Sequence, residues 1–320
     1  MLVKIYIPDA GIRSEQIEAV RSRLPAGWSL VDFPEGAVAI LTENTDVNYE
    51  MVEAAGSELR LIARLDTGQA AIMESCPVPV VDLPTTALVG VAEHTVMLIM
   101  SLSRHFLAVI RRTNAQSWLP ERSQPILTDQ RRYTYNWIGL KDWGTLYGKT
   151  VGLIGLGVIG SATAVRLRSL GMRLLYTKRH RLDPVAEVRL GVQWREFDAL
   201  LTESDFVSLH HRFEEGPGGN DKHIGARELA LMKPTAYLIN TARGRLVDED
   251  ALVAALLSGK IAGVGLDVFR QEPLPIDSPL FALAGDNVIL TSHVAGAPLG
   301  EAWATIAQEL VKHVQAAIGG

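Results

Sequence analysis

The run Thr150-Val151-Gly152-Leu153-Ile154-Gly155-Leu156-Gly157-Val158-Ile159-Gly160 constrains this chain more than any other stretch. An apolar strand leads into a glycine turn, and the turn opens a helix expected to run to residue 170. Gly155 permits the tight turn. Gly157 has no Cβ, so a pyrophosphate can approach its backbone, and Gly160 lets the helix pack closely on the strand. Leu156, Val158 and Ile159 complete the loop. The first helical amides and the positive end of the helix dipole face any anion held there. A further strand at 173–176 supplies the context that a bare G-x-G-x-x-G lacks. The alternative, a glycine-rich turn with no ligand, does not account for that context.

The 320 residues suffice for two domains. Before the glycine run, strands are expected at 2–7, 37–41, 59–63 and 78–81, with helices at 13–23 and 48–55. After it, strands are expected at 173–176, 206–210, 235–240, 261–266 and 288–290. Helices lie between them, notably at 225–232 and 248–258, and a last helix covers 298–318. Both halves alternate strand and helix, so the expected fold class is α/β with two doubly wound, parallel, Rossmann-like sheets. Residues 89–112 read as one long apolar helix joining the halves; Glu93, His94, Arg104 and His105 interrupt it too often for a membrane span. Residues 117–148 form a long loop with Trp118, Tyr133, Tyr135, Trp137, Trp143, Tyr147 and several arginines, a composition typical of interface cores. A self-packed surface loop is the alternative.

A net charge of −5 gives no reason to expect nucleic acid or an anionic membrane as a partner. Cys76 is the single cysteine, so no internal disulfide can form and a reducing compartment is expected. With no leader peptide and no long apolar span, the expected location is cytoplasmic. No metal site is expected.

Three strand ends carry polar groups: Asn240-Thr241-Ala242-Arg243-Gly244, Asp267-Val268-Phe269-Arg270-Gln271-Glu272-Pro273 and Thr291-Ser292-His293-Val294-Ala295-Gly296. Ligands bind at the carboxyl ends of strands in such sheets. Singly, Arg243 fits a surface ion pair, Glu272 a loop residue and His293 a bonded core histidine. On successive strand ends they make an acid–base set.

These three segments, the glycine run and Val91-Ala92-Glu93-His94-Thr95 together resemble the D-isomer-specific 2-hydroxyacid dehydrogenase family, over nearly the whole chain. The resemblance implies a discontinuous, flavodoxin-like substrate domain, 1–96 with 296–320, around an inserted cofactor domain, 97–295. It also implies a homodimer held by the cofactor domain and by an arm at 117–148. Arg243 would bind the substrate carboxylate and polarise the keto oxygen. His293 would exchange a proton with that oxygen, and Glu272 would hold its imidazole. Asp267 would accept a hydrogen bond from the nicotinamide carboxamide, with Thr241 and Ala242 beside the ring. Thr95 and His210 are assigned to the same cofactor site.

The family's substrate-carboxylate loop is altered here. Leu65, Asp66, Thr67 and Gly68 occupy its place, and Asp66 brings a negative charge where a carboxylate should dock. The usual Cys-Pro-Leu is replaced by His211-Arg212-Phe213 and a loop to Asn220. Residues 176–182 look locally like the formate dehydrogenase branch, whereas Glu272 favours the hydroxyacid branch. The acid that binds the ribose 2′-hydroxyl in NAD-selective sites is absent from the second strand end. Thr177, Lys178 and Arg179 stand there instead, which suits a 2′-phosphate: NADP(H) is the expected cofactor, with NAD(H) possible. The function implied is reduction of a small 2-keto acid of the glyoxylate or hydroxypyruvate type. Two alternatives stay open: a dehydrogenase of a small anion such as phosphite or formate, and a dinucleotide-sensing binding protein like the family's corepressors.

Overall fold

The computed structural model describes residues 2–8, 14–43, 45–65, 71–73, 75–83, 86–296 and 299–319. The chain forms two compact units, Met1–Gly90 with Gly296–Gly320, and Val91–Ala295.

The first unit contains β1 (Val3–Tyr6), α1 (Ser14–Arg21), β2 (Trp28–Val31), β3 (Ala39–Thr42), α2 (Tyr49–Ala55), β4 (Leu61–Leu65) and β5 (Val80–Leu83). Its strands are all parallel, in the order β2-β1-β3-β4-β5. That is the flavodoxin-type order. Every residue of β3 is buried, as a central strand covered on both faces requires. The chain returns to this unit at its C-terminal helix, whose Trp303, Ile306, Leu310 and Val314 pack on Val3, Ile5, Leu41 and Leu61.

The helix expected at 89–112 is broken. It forms α3 (Thr86–Ser103) and α4 (Phe106–Asn114), separated by His105 in the left-handed region at φ 48°. The break has a tertiary cause. Gly144 N–H donates to the Ser103 carbonyl at 2.9 Å, and the Arg104 guanidinium lies 4.2 Å from the Trp143 ring centre. Groups on the 117–148 loop thereby cap α3 where apolar periodicity alone would continue it.

The second unit continues with β6 (Thr150–Ile154), α5 (Val158–Ser169), β7 (Arg173–Thr177), α6 (Pro184–Leu190), β8 (Val192–Trp194), α7 (Phe197–Glu203), β9 (Phe206–Leu209), α8 (Ala226–Leu231), β10 (Tyr237–Asn240), α9 (Glu249–Leu257), β11 (Gly263–Leu266), α10 (Pro279–Leu283) and β12 (Val288–Leu290). The terminal helix of the first unit is then α11 (Leu299–Gly319). The seven strands are parallel, in the order β12-β11-β10-β9-β6-β7-β8. Val151 and Leu153 face α3 and α5 through Leu98, Leu102, Ala164 and Leu167, while Val207, Leu238 and Val264 pack with Leu200, Leu229 and Leu252 on the other face. Strand order reverses between β6 and β9, so the crevice for a ligand opens above those two carboxyl ends.

Two edge strands, β2 and β8, were not expected from the sequence. The division between units falls inside α3 at 90/91, six residues before the expected 96/97. Among the described residues, no helix is long and apolar enough to cross a membrane.

Candidate active site

The glycine turn after β6 has the shape its sequence calls for. Gly155 lies at φ +91°, and a Cβ there would stand 2.6 Å from the His211 amide nitrogen. A Cβ on Gly160 would stand 2.6 Å from the Gly155 carbonyl oxygen. Gly157, the N-cap of α5, would project its Cβ into open space, with nothing within 4 Å. The two outer glycines are thus demanded by the protein itself, whereas the middle one faces a space that a pyrophosphate would fill. No side chain caps the α5 N-terminus, leaving its first amides to an anion. Gly155 N–H donates to the Thr177 carbonyl at 2.9 Å, which joins the turn to the end of β7.

Beyond β10, the buried Asn240 braces the next turn: its Oδ1 accepts from Ala242 N–H at 3.0 Å and its Nδ2 donates to the Arg243 carbonyl at 2.9 Å. Arg243 is left exposed, with Nη1 donating to the Ala242 carbonyl at 2.7 Å. Beyond β11, Glu272 accepts from Phe269 N–H through Oε1 at 2.9 Å, and its Oε2 lies 2.6 Å from His293 Nδ1. The carboxylate therefore orients the ring, and Nε2 is the nitrogen left to exchange a proton with a substrate. The His293 side chain is 52% exposed, so a substrate can reach it.

His293 itself is in the left-handed region at φ 55°, a costly conformation that its surroundings must hold. Asp267 holds it. Its carbonyl accepts from His293 N–H at 2.8 Å, Oδ1 from Val294 N–H at 3.0 Å and Oδ2 from Ala295 N–H at 2.9 Å. Thr291 Oγ1 donates to Oδ1 at 2.6 Å and sits 3.0 Å from His94 Nε2. The Asp267 side chain is 0% exposed and its oxygens are already bonded. It anchors the histidine loop, a role the sequence did not suggest. Burial lowers the His94 pKa, opposed by the nearby Asp267 charge.

Thr95 is likewise buried, with Oγ1 bonded to the Val91 carbonyl and 2.8 Å from Thr241 Oγ1; the pair ties α3 to the end of β10. His94, Asn240 and Thr291 were absent from the expected site. All three lie inside the quoted motifs, but His94 meets Thr291 across 197 residues and no local pattern announces that contact.

At the end of β7, Thr177 and Lys178 are half-buried and Arg179 is exposed. Arg179 is already engaged: Nη2 donates to Glu214 Oε1 at 2.9 Å and to Oε2 at 2.8 Å. The acid missing from β7 is supplied from the segment after β9. Leu65 ends β4 with its side chain buried, so only its backbone could serve a substrate. Asp66, Thr67 and Gly68 lie outside the described residues. Among the described residues, no three histidine, cysteine or acidic side chains gather as a metal site.

His210 and His211 close the crevice floor beside the glycine turn. His210 Nε2 lies 2.9 Å from Ser208 Oγ, while its buried Nδ1 has no partner among the described residues. His211 Nδ1 lies 3.3 Å from the Ile154 carbonyl, and its Nε2 lies 3.1 Å from His223 Nδ1. Burial and the neighbouring His211 push the His210 pKa down to about 3. Burial and His223 push that of His211 down to about 4. The unfolded chain binds protons at these rings below its ordinary value of 6.5, and the folded chain does not. Stability is therefore full above pH 6.5 and falls as pH drops toward 4. For His211 alone the loss is on the order of 3 kcal/mol. Urea midpoints measured down to about pH 4.5, above most carboxylate titration, should fall in the wild type and fall less in His211→Asn. Equal slopes for the two proteins would exclude His211 as the source.

Residues 96–295 match the NAD binding domain of the D-isomer specific 2-hydroxyacid dehydrogenases. A glyoxylate reductase of Korarchaeum cryptofilum is 48% identical over 153 residues, 48% of this chain and 44% of that protein. In that alignment the chain spans less than half the length of its relative. A glyoxylate reductase of Thermofilum pendens is 35% identical over 291 residues, 89% of this chain and 79% of that protein. Among solved structures, the NAD complex of a D-isomer specific 2-hydroxyacid dehydrogenase from Lactobacillus delbrueckii ssp. bulgaricus superposes with a TM-score of 0.69 at 25% identity, covering 99% of this chain and 98% of that one. With the strand order, the glycine cradle and the His293–Glu272 pair already in place, these similarities make the chain a member of the D-isomer specific 2-hydroxyacid dehydrogenase family.

Proposed function

We propose that this protein reduces a small 2-keto acid of the glyoxylate or hydroxypyruvate type to the corresponding D-2-hydroxy acid. The observation that carries the reading is the 2.6 Å contact between Glu272 and His293 Nδ1, which leaves Nε2 as an accessible proton donor at a strand end. Bound at the glycine cradle, a nicotinamide dinucleotide supplies the hydride. Arg243 takes the substrate carboxylate and draws electron density from the keto oxygen. His293 gives that oxygen its proton in reduction and removes it in oxidation. Asp267, Thr291 and His94 position the histidine loop, and Asn240 positions Arg243.

The cofactor is proposed to be NADPH in preference to NADH, because β7 ends in Thr177 and Lys178 with no acid of its own. Arg179 adds less than a free guanidinium would, since Glu214 shares it. Turnover of a panel of 2-keto acids, phosphite and formate, with each dinucleotide, tests the whole reading. Reduction of glyoxylate or hydroxypyruvate supports it, while activity only on phosphite or formate, or dinucleotide binding with no turnover at all, replaces it.

The protein is proposed to act as a homodimer. Residues 117–148 are braced internally: Leu119 N–H donates to the Trp137 carbonyl at 2.8 Å, and Arg122 donates to the Tyr135 and Asn136 carbonyls. Even so, Trp118, Leu127, Tyr133, Tyr135 and Trp137 stay exposed, together with Phe106 and Ile110 of α4. A patch of this kind seeks a partner of the same surface. Light scattering should give twice the chain mass of 34.9 kDa, and a Trp137→Glu, Phe106→Glu variant should give the chain mass. A monomeric wild type would refute the dimer.

A further inference from the structure

The segment after β9 takes a route that the glycine motif does not explain. It leaves the sheet at His210, crosses the carboxyl end of β6 where His211 meets the Ile154 carbonyl, and reaches the end of β7 at Arg179. It therefore spans the crevice where strand order reverses. At its far side the Glu214 carboxylate sits on the Arg179 guanidinium.

The position of Glu214 is built. Its amide donates to Asn220 Oδ1 at 2.7 Å, and Asn220 returns bonds to the Glu214 carbonyl at 3.0 Å and, through Nδ2, to the Arg212 carbonyl at 2.7 Å. A Cβ on Gly219 would stand 2.3 Å from the Glu214 carbonyl oxygen, so the loop closes only around a glycine. From the other side Arg245 grips the same loop. It donates to Glu215 at 2.8 Å and to Asp221 at 3.2 Å, and its guanidinium lies 4.4 Å from the Phe213 ring centre.

We infer that Glu214 limits the preference for NADPH: its carboxylate occupies the seat that a ribose 2′-phosphate would take on Arg179, and competes with it. The inference rests on the proposed dinucleotide site. Sites selective for NAD place an acid at the end of the second strand, where it accepts from the ribose hydroxyl and repels a 2′-phosphate. Here that strand ends in Thr177-Lys178-Arg179, and the acid arrives from a different element. An NADP 2′-phosphate must break the Arg179–Glu214 pair and then lie beside a carboxylate. NAD, with a hydroxyl there, needs neither. The pair is half-exposed, with side chains 73% and 49% accessible, so its grip is weak and the preference is tuned, not absolute.

The test is the dissociation constant of NADPH and of NADH, each followed by fluorescence on the full chain without substrate. Glu214→Gln should shift the ratio toward NADPH by about three- to tenfold, the scale of one exposed pair plus one removed repulsion. The shift should shrink as salt screens the charges. In an Arg179→Gln background the same Glu214→Gln change should move the ratio less, by the removed repulsion alone, because the shared partner is gone. An unchanged ratio in Glu214→Gln, or an equal shift with and without Arg179, overturns the inference while leaving the dinucleotide site standing. Failure of the wild type to bind either dinucleotide overturns both.

Discussion

His293→Ala should lower kcat by about 10²-fold or more, the usual contribution of a positioned general acid–base group. The dissociation constant of the dinucleotide should change by less than about threefold, because the glycine cradle lies on other strands. Folding should survive. Glu272 keeps its bond from Phe269 N–H and is exposed enough to be solvated when the imidazole is gone. Alanine also leaves the Val294 and Ala295 amides on Asp267. Stopped-flow reduction with substrate in excess, beside dinucleotide titration of the same variant, separates the two effects. Turnover near the wild-type rate would remove His293 from the chemistry.

Gly244→Ala should destabilise the fold by about 3 kcal/mol or more, at the upper end of what overpacking does. A Cβ on Gly244 would lie 1.9 Å from both the carbonyl carbon and the carbonyl oxygen of Phe269, and 2.5 Å from Arg270 N. All three are backbone atoms, so no side chain can swing aside. The exits of β10 and β11 would have to part. Arg243 precedes the collision by one residue, and Phe269 donates to Glu272, so surviving protein should also lose turnover. Gly157→Ala is the contrasting case: its Cβ meets nothing within 4 Å, so the urea midpoint should hold while dinucleotide affinity falls. A Gly244→Ala midpoint equal to that of Gly157→Ala would contradict the backbone collision.

Much of this fold is written in local pattern. The central strands of both sheets are buried on both faces and are mostly apolar, which is why β3, β6 and β9 stand out. The edge strands β2 and β8 do not. Trp28-Ser29-Leu30-Val31 is only partly buried and Val192-Gln193-Trp194 has three residues, so neither offers a contrast to its flanks. The break between α3 and α4 escapes for another reason: Gly144 and Trp143 cause it from outside the helix, and periodicity carries no record of a cap made by a distant segment.

The same distinction runs through the site. Arg243, Glu272 and His293 follow strands in sequence, so strand ends betray them. The residues that hold them are harder to read. The family resemblance assigns Asp267 to the nicotinamide carboxamide, and that it also anchors the histidine loop shows only in its partners at 291, 294 and 295. Glu214 is 35 residues from Arg179, and sequence alone suggested that the end of β7 had no acid beside it.

The three polar strand ends are braced separately: Asn240 holds the arginine turn, Phe269 the glutamate, Asp267 the histidine. Each brace is made within residues 91–295. The set resists drift, because each brace is a buried side chain or a backbone amide with one geometry open to it. Because the braces are separate, loss of one should leave the other two strand ends in place.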